Sequence, residues 1–194
     1  MNCNLPNRMG AGNTFKPPGA LDGSMLRRLR ESGPVVLVPA IWTVVTGGHL
    51  GVVTEHALLV AHVVMSALLV AFVALSWGDM ETGVLRAWRL TILGGVPPAL
   101  AGTAGLAATP NVDALLWVAV VGWMVVPAPA LLYTGQRVER HPRAYIAGAA
   151  ACVLGMLAYV AAGLTMAGTG ALVVGIALAG AGQTAGIVAA VVDY

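Results

Sequence analysis

Residues 56–77 read HALLVAHVVMSALLVAFVALSW and contain no Asp, Glu, Lys or Arg. A helix that crosses lipid needs about 20 mostly apolar residues, and this run alone meets that need. Working outward, the pattern recurs at 34–53, 86–107, 113–134, 144–166 and 169–191. The separators are short: Thr54-Glu55, GDMETG over 78–83, Thr109-Pro110-Asn111, QRVERHPR over 136–143, and Ala167-Gly168-Thr169. Together these predict an all-α integral membrane protein, a six-helix bundle forming one domain over 34–194. Loops this short place sequential helices side by side and antiparallel.

The composition agrees. Of 194 residues, 58% are hydrophobic and 9% charged, with a mean hydropathy of +0.84. A soluble domain carries about 25% charged residues, so a soluble enzyme, a nucleic-acid binder and a disordered chain are excluded. The net charge of +2 is too small to recruit nucleic acid; the partner the chain calls for is the lipid bilayer.

Residues 1–33 are rich in Asn, Gly and Pro and read as a flexible cytoplasmic tail. They hold no apolar core of the kind a secretory signal needs. Met25, followed by Leu-Arg-Arg-Leu-Arg and an apolar run, is an alternative start that would make residues 1–24 an extension. The intact mass of the native protein distinguishes the two.

Orientation follows from the basic residues. Arg8, Lys16, Arg27, Arg28 and Arg30 precede the first run. Arg86 and Arg89 open the third, and Arg137, Arg140 and Arg143 lie between the fourth and fifth. With six crossings all of these fall on one side, and the other side has no Lys or Arg. A multi-pass cell-membrane protein with both termini cytoplasmic is expected.

Small residues mark where helices approach in lipid, because lipid supplies no hydrophobic drive for their association. Gly168, Gly175 and Gly182 recur every seven residues, with Ala179 and Gly186 along the same stripe, and Gly148, Gly155 and Ala162 answer in the fifth run. This predicts a close hairpin between the fifth and sixth helices. The same Gly/Ala-rich faces are the candidate contacts for a second copy or for other membrane subunits. Gly94-Gly95-Val96-Pro97-Pro98 lies mid-way along the third run, where two missing backbone donors predict a kink or break. Pro127 and Pro129 disturb the fourth run and Pro39 the first.

No Asp, Glu, Lys or Arg lies deep in any run, which counts against an ion-coupled pump. A retinal-type Schiff base would need an intramembrane lysine, and Lys16 is the only lysine. Three histidines lie toward the outer side: His49, His56 and His62, the last roughly 9 Å below His56 on a regular helix. Glu55, His62 and Ser66 share one helical face. His49 and His62, at similar depth, have the character of ligands for a haem iron or a metal, or of proton carriers; the alternative is a hydrogen-bonded packing role. His141, beside Arg140 and Arg143, reads as a surface residue. Gln183 and Thr184 form a polar pair inside the sixth run and read either as a solute contact facing the Pro97–Pro98 break or as interhelical glue. Trp77, Trp88 and Trp117 fall near the interfaces, as aromatic belts do, while Trp42 and Trp123 are deeper. Cys152 reads as a small core residue, unpaired with Cys3.

Catalytic signatures are lacking: no G-x-S-x-G, no H-E-x-x-H, no P-loop and no dinucleotide fingerprint occurs. Three functions remain open: a small permease or solute-binding membrane protein using Gln183, Thr184, Pro97 and Pro98; a haem-binding redox subunit using His49, His62 and His56; and a non-catalytic assembly partner.

Overall fold

A computed structural model describes the backbone of residues 23–193 and the side chains of residues 33 and 35–192. The expectations for residues 1–22, including Cys3, Arg8 and Lys16, lie outside the described residues.

The regular elements of the described residues are all helical: α1 Gly23–His49, α2 Glu55–Ser76, α3 Gly83–Ala107, α4 Asp113–Val125, α5 Pro127–Gly135, α6 Pro142–Leu164 and α7 Thr169–Asp193, with one 3₁₀ turn at Gly78–Met80. Five stretches are long and apolar enough to cross a membrane, α4 and α5 together forming one of them. Val35–His49 adds a shorter apolar sixth. This is a polytopic membrane protein built as a bundle of about six helices. Helix α1 begins at Gly23, earlier than the boundary expected at 34.

Local chemistry sets the ends. Thr54 caps α2, its hydroxyl accepting from the Ala57 N–H at 3.2 Å. Pro142 opens α6, where its missing N–H costs nothing. Gly168 turns the chain into α7 at φ +87°, a conformation that glycine adopts without strain.

The α6–α7 hairpin is the tightest contact, as the seven-residue spacing predicts. A Cβ on Gly155 would lie 2.6 Å from the Gly175 carbonyl oxygen, and one on Gly175 would lie 2.7 Å from that of Gly155. Gly148 and Gly182 repeat the arrangement two turns away, at 2.6 and 2.7 Å. Gly148 and Gly155 thus face Gly182 and Gly175 within one chain. Cys152 is fully buried beside them, a core residue as expected.

Two expectations are corrected. The first concerns the break. Helix α3 runs on as one helix through Pro97 and Pro98, so of the kink or break expected there the break is absent. The chain is interrupted at Val126, between α4 and α5, beside the Pro127 expected to disturb the fourth run. Proline's φ is itself helical, so the helix can continue, but each ring removes a backbone donor and crowds the carbonyl four residues earlier. Neighbours hold the path: Pro98 is buried against Gly122, and the Trp123 ring covers Gly95. The second concerns α1, which packs chiefly on α7 and only slightly on α2, although just five residues join it to α2. The Trp42 ring lies over Gly180, where a Cβ would be 2.8 Å from Trp42 Cγ. Helix α2, held mainly by α3, buries only Ser76.

Tryptophans seated on glycines recur. Trp117 covers Gly163 as Trp42 covers Gly180 and Trp123 covers Gly95. Each glycine lets a large flat ring reach a neighbouring helix backbone, which supplies van der Waals contact where hydrophobic drive is lacking.

Candidate functional site

Helix α1 packs chiefly on α7 and α2 on α3, and the five residues 50–54 join α1 to α2 at one end of the bundle. A cavity of about 350 Å³ lies there. Six polar side chains line it: His49 from α1, Glu55 and His62 from α2, Asn111 from the α3–α4 loop, Asp113 from α4 and Tyr159 from α6. Trp117, Leu116 and Val120 form much of its apolar wall.

Both cavity histidines have one ring nitrogen committed to their own helix. His49 Nδ1 donates to Val45 O at 2.9 Å, and His62 Nδ1 donates to Leu58 O at 2.9 Å. A carbonyl only accepts, so in each neutral ring Nδ1 carries the proton and Nε2 the lone pair. His49 Nε2 accepts from the Tyr159 hydroxyl at 2.9 Å. Tyr159 in turn packs edge-on to His49, with centroids 5.6 Å apart at 74°, and against Trp117 at 4.8 Å. The His62 ring lies on Gly102 of α3, whose Cβ would sit 2.6 Å from His62 Nε2.

Glu55 and Asp113 are exposed and occupy the first turns of α2 and α4, where a negative charge complements the helix dipole. The described arginines, at 86, 89, 137, 140 and 143, all belong to the opposite end. There Arg89 donates to Trp77 O at 3.1 Å and lies 4.6 Å above the Trp77 ring. The cavity end thus has carboxylates and imidazoles but no guanidinium or ammonium among the described residues.

The structure brings His49 and His62 to one cavity and leaves His56 exposed outside it. Ser66 does not reach the cavity, and its hydroxyl is buried without a hydrogen-bond partner. A haem or metal held by the two imidazoles would have to displace Tyr159 from His49 Nε2. No group of three or more His, Cys, Asp or Glu side chains among the described residues is arranged to hold a metal ion.

The other four sequence candidates lie elsewhere. Gln183 is 5% exposed and bridges three helices. Its Oε1 accepts from Trp42 Nε1 at 3.0 Å, and its Nε2 donates to Trp123 O at 2.8 Å. Trp123 O is the carbonyl that a residue at 127 would normally bond in a continuous helix, and Pro127 has no N–H to offer. Thr184 donates to Gly180 O at 2.7 Å and lines an apolar groove of about 620 Å³ between α1 and α7. Pro97 and Pro98 line neither space. Sequence reasoning missed Tyr159, Asp113, Asn111 and Trp117 as site residues. The signal available was position: each lies toward the helix ends that meet His49 and Glu55.

Comparison with known protein families, with curated proteins and with solved structures finds no match to this chain.

Proposed function

We propose that this chain is a small permease or solute-binding membrane protein, with the His49–His62–Tyr159 cavity as its solute site. The observation that carries the reading is convergence: six polar side chains from four helices and one loop line a single cavity in an otherwise apolar bundle. Binding sites characteristically pair an apolar wall with a few placed polar groups, in volumes from about 300 Å³ upward. Gln183, Thr184, Pro97 and Pro98 take structural roles in this account. The arginine distribution supports a cytoplasmic location for both termini, with the cavity opening on the outer side.

The test is a melting-temperature screen of the purified protein in nanodiscs against small cations, anions and neutral solutes, with Val120→Phe as a filled-cavity control. A shift produced by one solute class and lost in Val120→Phe is expected. Equal shifts in both proteins, or none, would count against the site.

The haem-binding reading keeps one observation in its favour, the presence of His49 and His62 on one cavity. A stoichiometric reduced-minus-oxidised haem band from the native host's protein, lost in His62→Ala, would replace the permease reading with a redox one.

A further inference from the structure

Resting on that solute-site reading, we infer that the cavity takes a small organic cation, a protonated or quaternary amine. The sign of the charge comes first. Glu55 and Asp113 line the cavity, and every described arginine lies at the other end of the bundle. Arg27, Arg28 and Arg30 fall in the first turns of α1, far along that helix from His49. An anionic solute would meet two carboxylates and no balancing charge, whereas a cation entering a low-dielectric mouth lined by carboxylates is drawn in.

The kind of cation comes next. A metal ion demands several ligands converging at about 2.0–2.6 Å, and no such group of three exists among the described residues. His49 also has both ring nitrogens in use, toward Val45 and Tyr159. An ammonium centre makes the opposite demand: diffuse negative charge nearby and an aromatic or apolar wall against its methyl or methylene groups. Trp117 lines the cavity beside Tyr159, and tryptophan is the best cation–π partner. Leu116 and Val120 complete a wall that suits alkyl groups. The volume of about 350 Å³ is at the small end for a ligand pocket and fits a single compact amine better than an extended one.

Choline and its uncharged isostere 3,3-dimethyl-1-butanol separate charge from shape. Titration calorimetry of the full chain in nanodiscs of zwitterionic lipid should give choline at least about tenfold tighter binding than the alcohol, with tetramethylammonium also binding. The Glu55→Gln/Asp113→Asn double variant should lose most of that preference. Glu81→Gln, at the opposite end, should keep it. Equal affinity for choline and the alcohol, both lost in Val120→Phe, would overturn the cation assignment and leave the solute site standing. Choline affinity unchanged in the double variant, with its melting temperature intact, would also overturn it. No binding of either cation or of the alcohol would overturn both readings.

Discussion

Gln183 Nε2 donates to Trp123 O at 2.8 Å, and this carbonyl is the one that Pro127, four residues on, cannot engage. The side-chain amide of α7 thus replaces a missing backbone donor at the α4–α5 interruption, while its oxygen holds Trp42 of α1. Losing it should leave the Trp42 indole N–H and the Trp123 carbonyl unpaired in an apolar interior. Gln183→Met, which keeps the volume, is expected to lower stability by about 1–3 kcal/mol. In a Pro127→Ala background the backbone can satisfy Trp123 O, so the same substitution should cost less. Unfolding in mild detergent across the four-protein cycle measures the coupling; a cost identical in both backgrounds would disprove the link.

The α6–α7 contact makes a separate prediction. Gly155→Ala places a methyl 2.6 Å from the Gly175 carbonyl oxygen, and backbone cannot swing aside as a side chain can. Overpacking of this kind costs about 1–3 kcal/mol. Gly170→Ala, in the first turn of α7, meets nothing within 4 Å and should be neutral or slightly stabilising. Melting curves of the two variants side by side check this, and comparable losses in both would refute the contact.

His62 and Gly102 form the seat that holds α2 against α3. Gly102→Ala should be destabilising in the native protein because the new methyl meets the imidazole. Removing the ring with His62→Ala should relieve most of that cost, giving a coupling of about 0.5–3 kcal/mol. Strict additivity of the two substitutions would show that the ring does not rest there.

Much of the bundle is legible in the sequence, for a plain reason. Apolar runs end where charge, glycine or proline appears, so five of the helices begin and end within a few residues of their expected bounds. The hairpin of Gly148 and Gly155 with Gly182 and Gly175 is legible because seven-residue spacing keeps small residues on one helix face. What α1 packs against is not legible. A helix apolar on all sides carries no amphipathic signal, and contacts such as Trp42 on Gly180 and Gln183 set its partner. The choice between two proline pairs is equally hidden: Pro98 is braced by Gly122, whereas the carbonyl opposite Pro127 is met from another helix. His49 and His62 were legible as a pair. Tyr159 and Asp113 join them only through the packing of α6 and α4 at the cavity end of the bundle, which no spacing in the sequence announces.

Topology has its own test. In a protein with Cys3 and Cys152 replaced by serine and alanine, Thr169→Cys should react with an impermeant maleimide added outside intact cells. Arg140→Cys should react only after the membrane is opened. The reverse pattern would invert the orientation and place the cavity on the cytoplasmic face.

The central claim, that the cavity is a solute site open to water, is tested most directly on one helix. Val118 and Val120 lie at nearly the same depth in α4; Val118 is 52% exposed on the lipid-facing side, and Val120 lines the cavity. In the same cysteine-free background, Val120→Cys should react with a charged methanethiosulfonate reagent far faster than Val118→Cys, because that reagent travels through water and not through lipid. Equal reactivity at the two positions, or faster reaction at Val118→Cys, would contradict a water-filled cavity and the solute site with it.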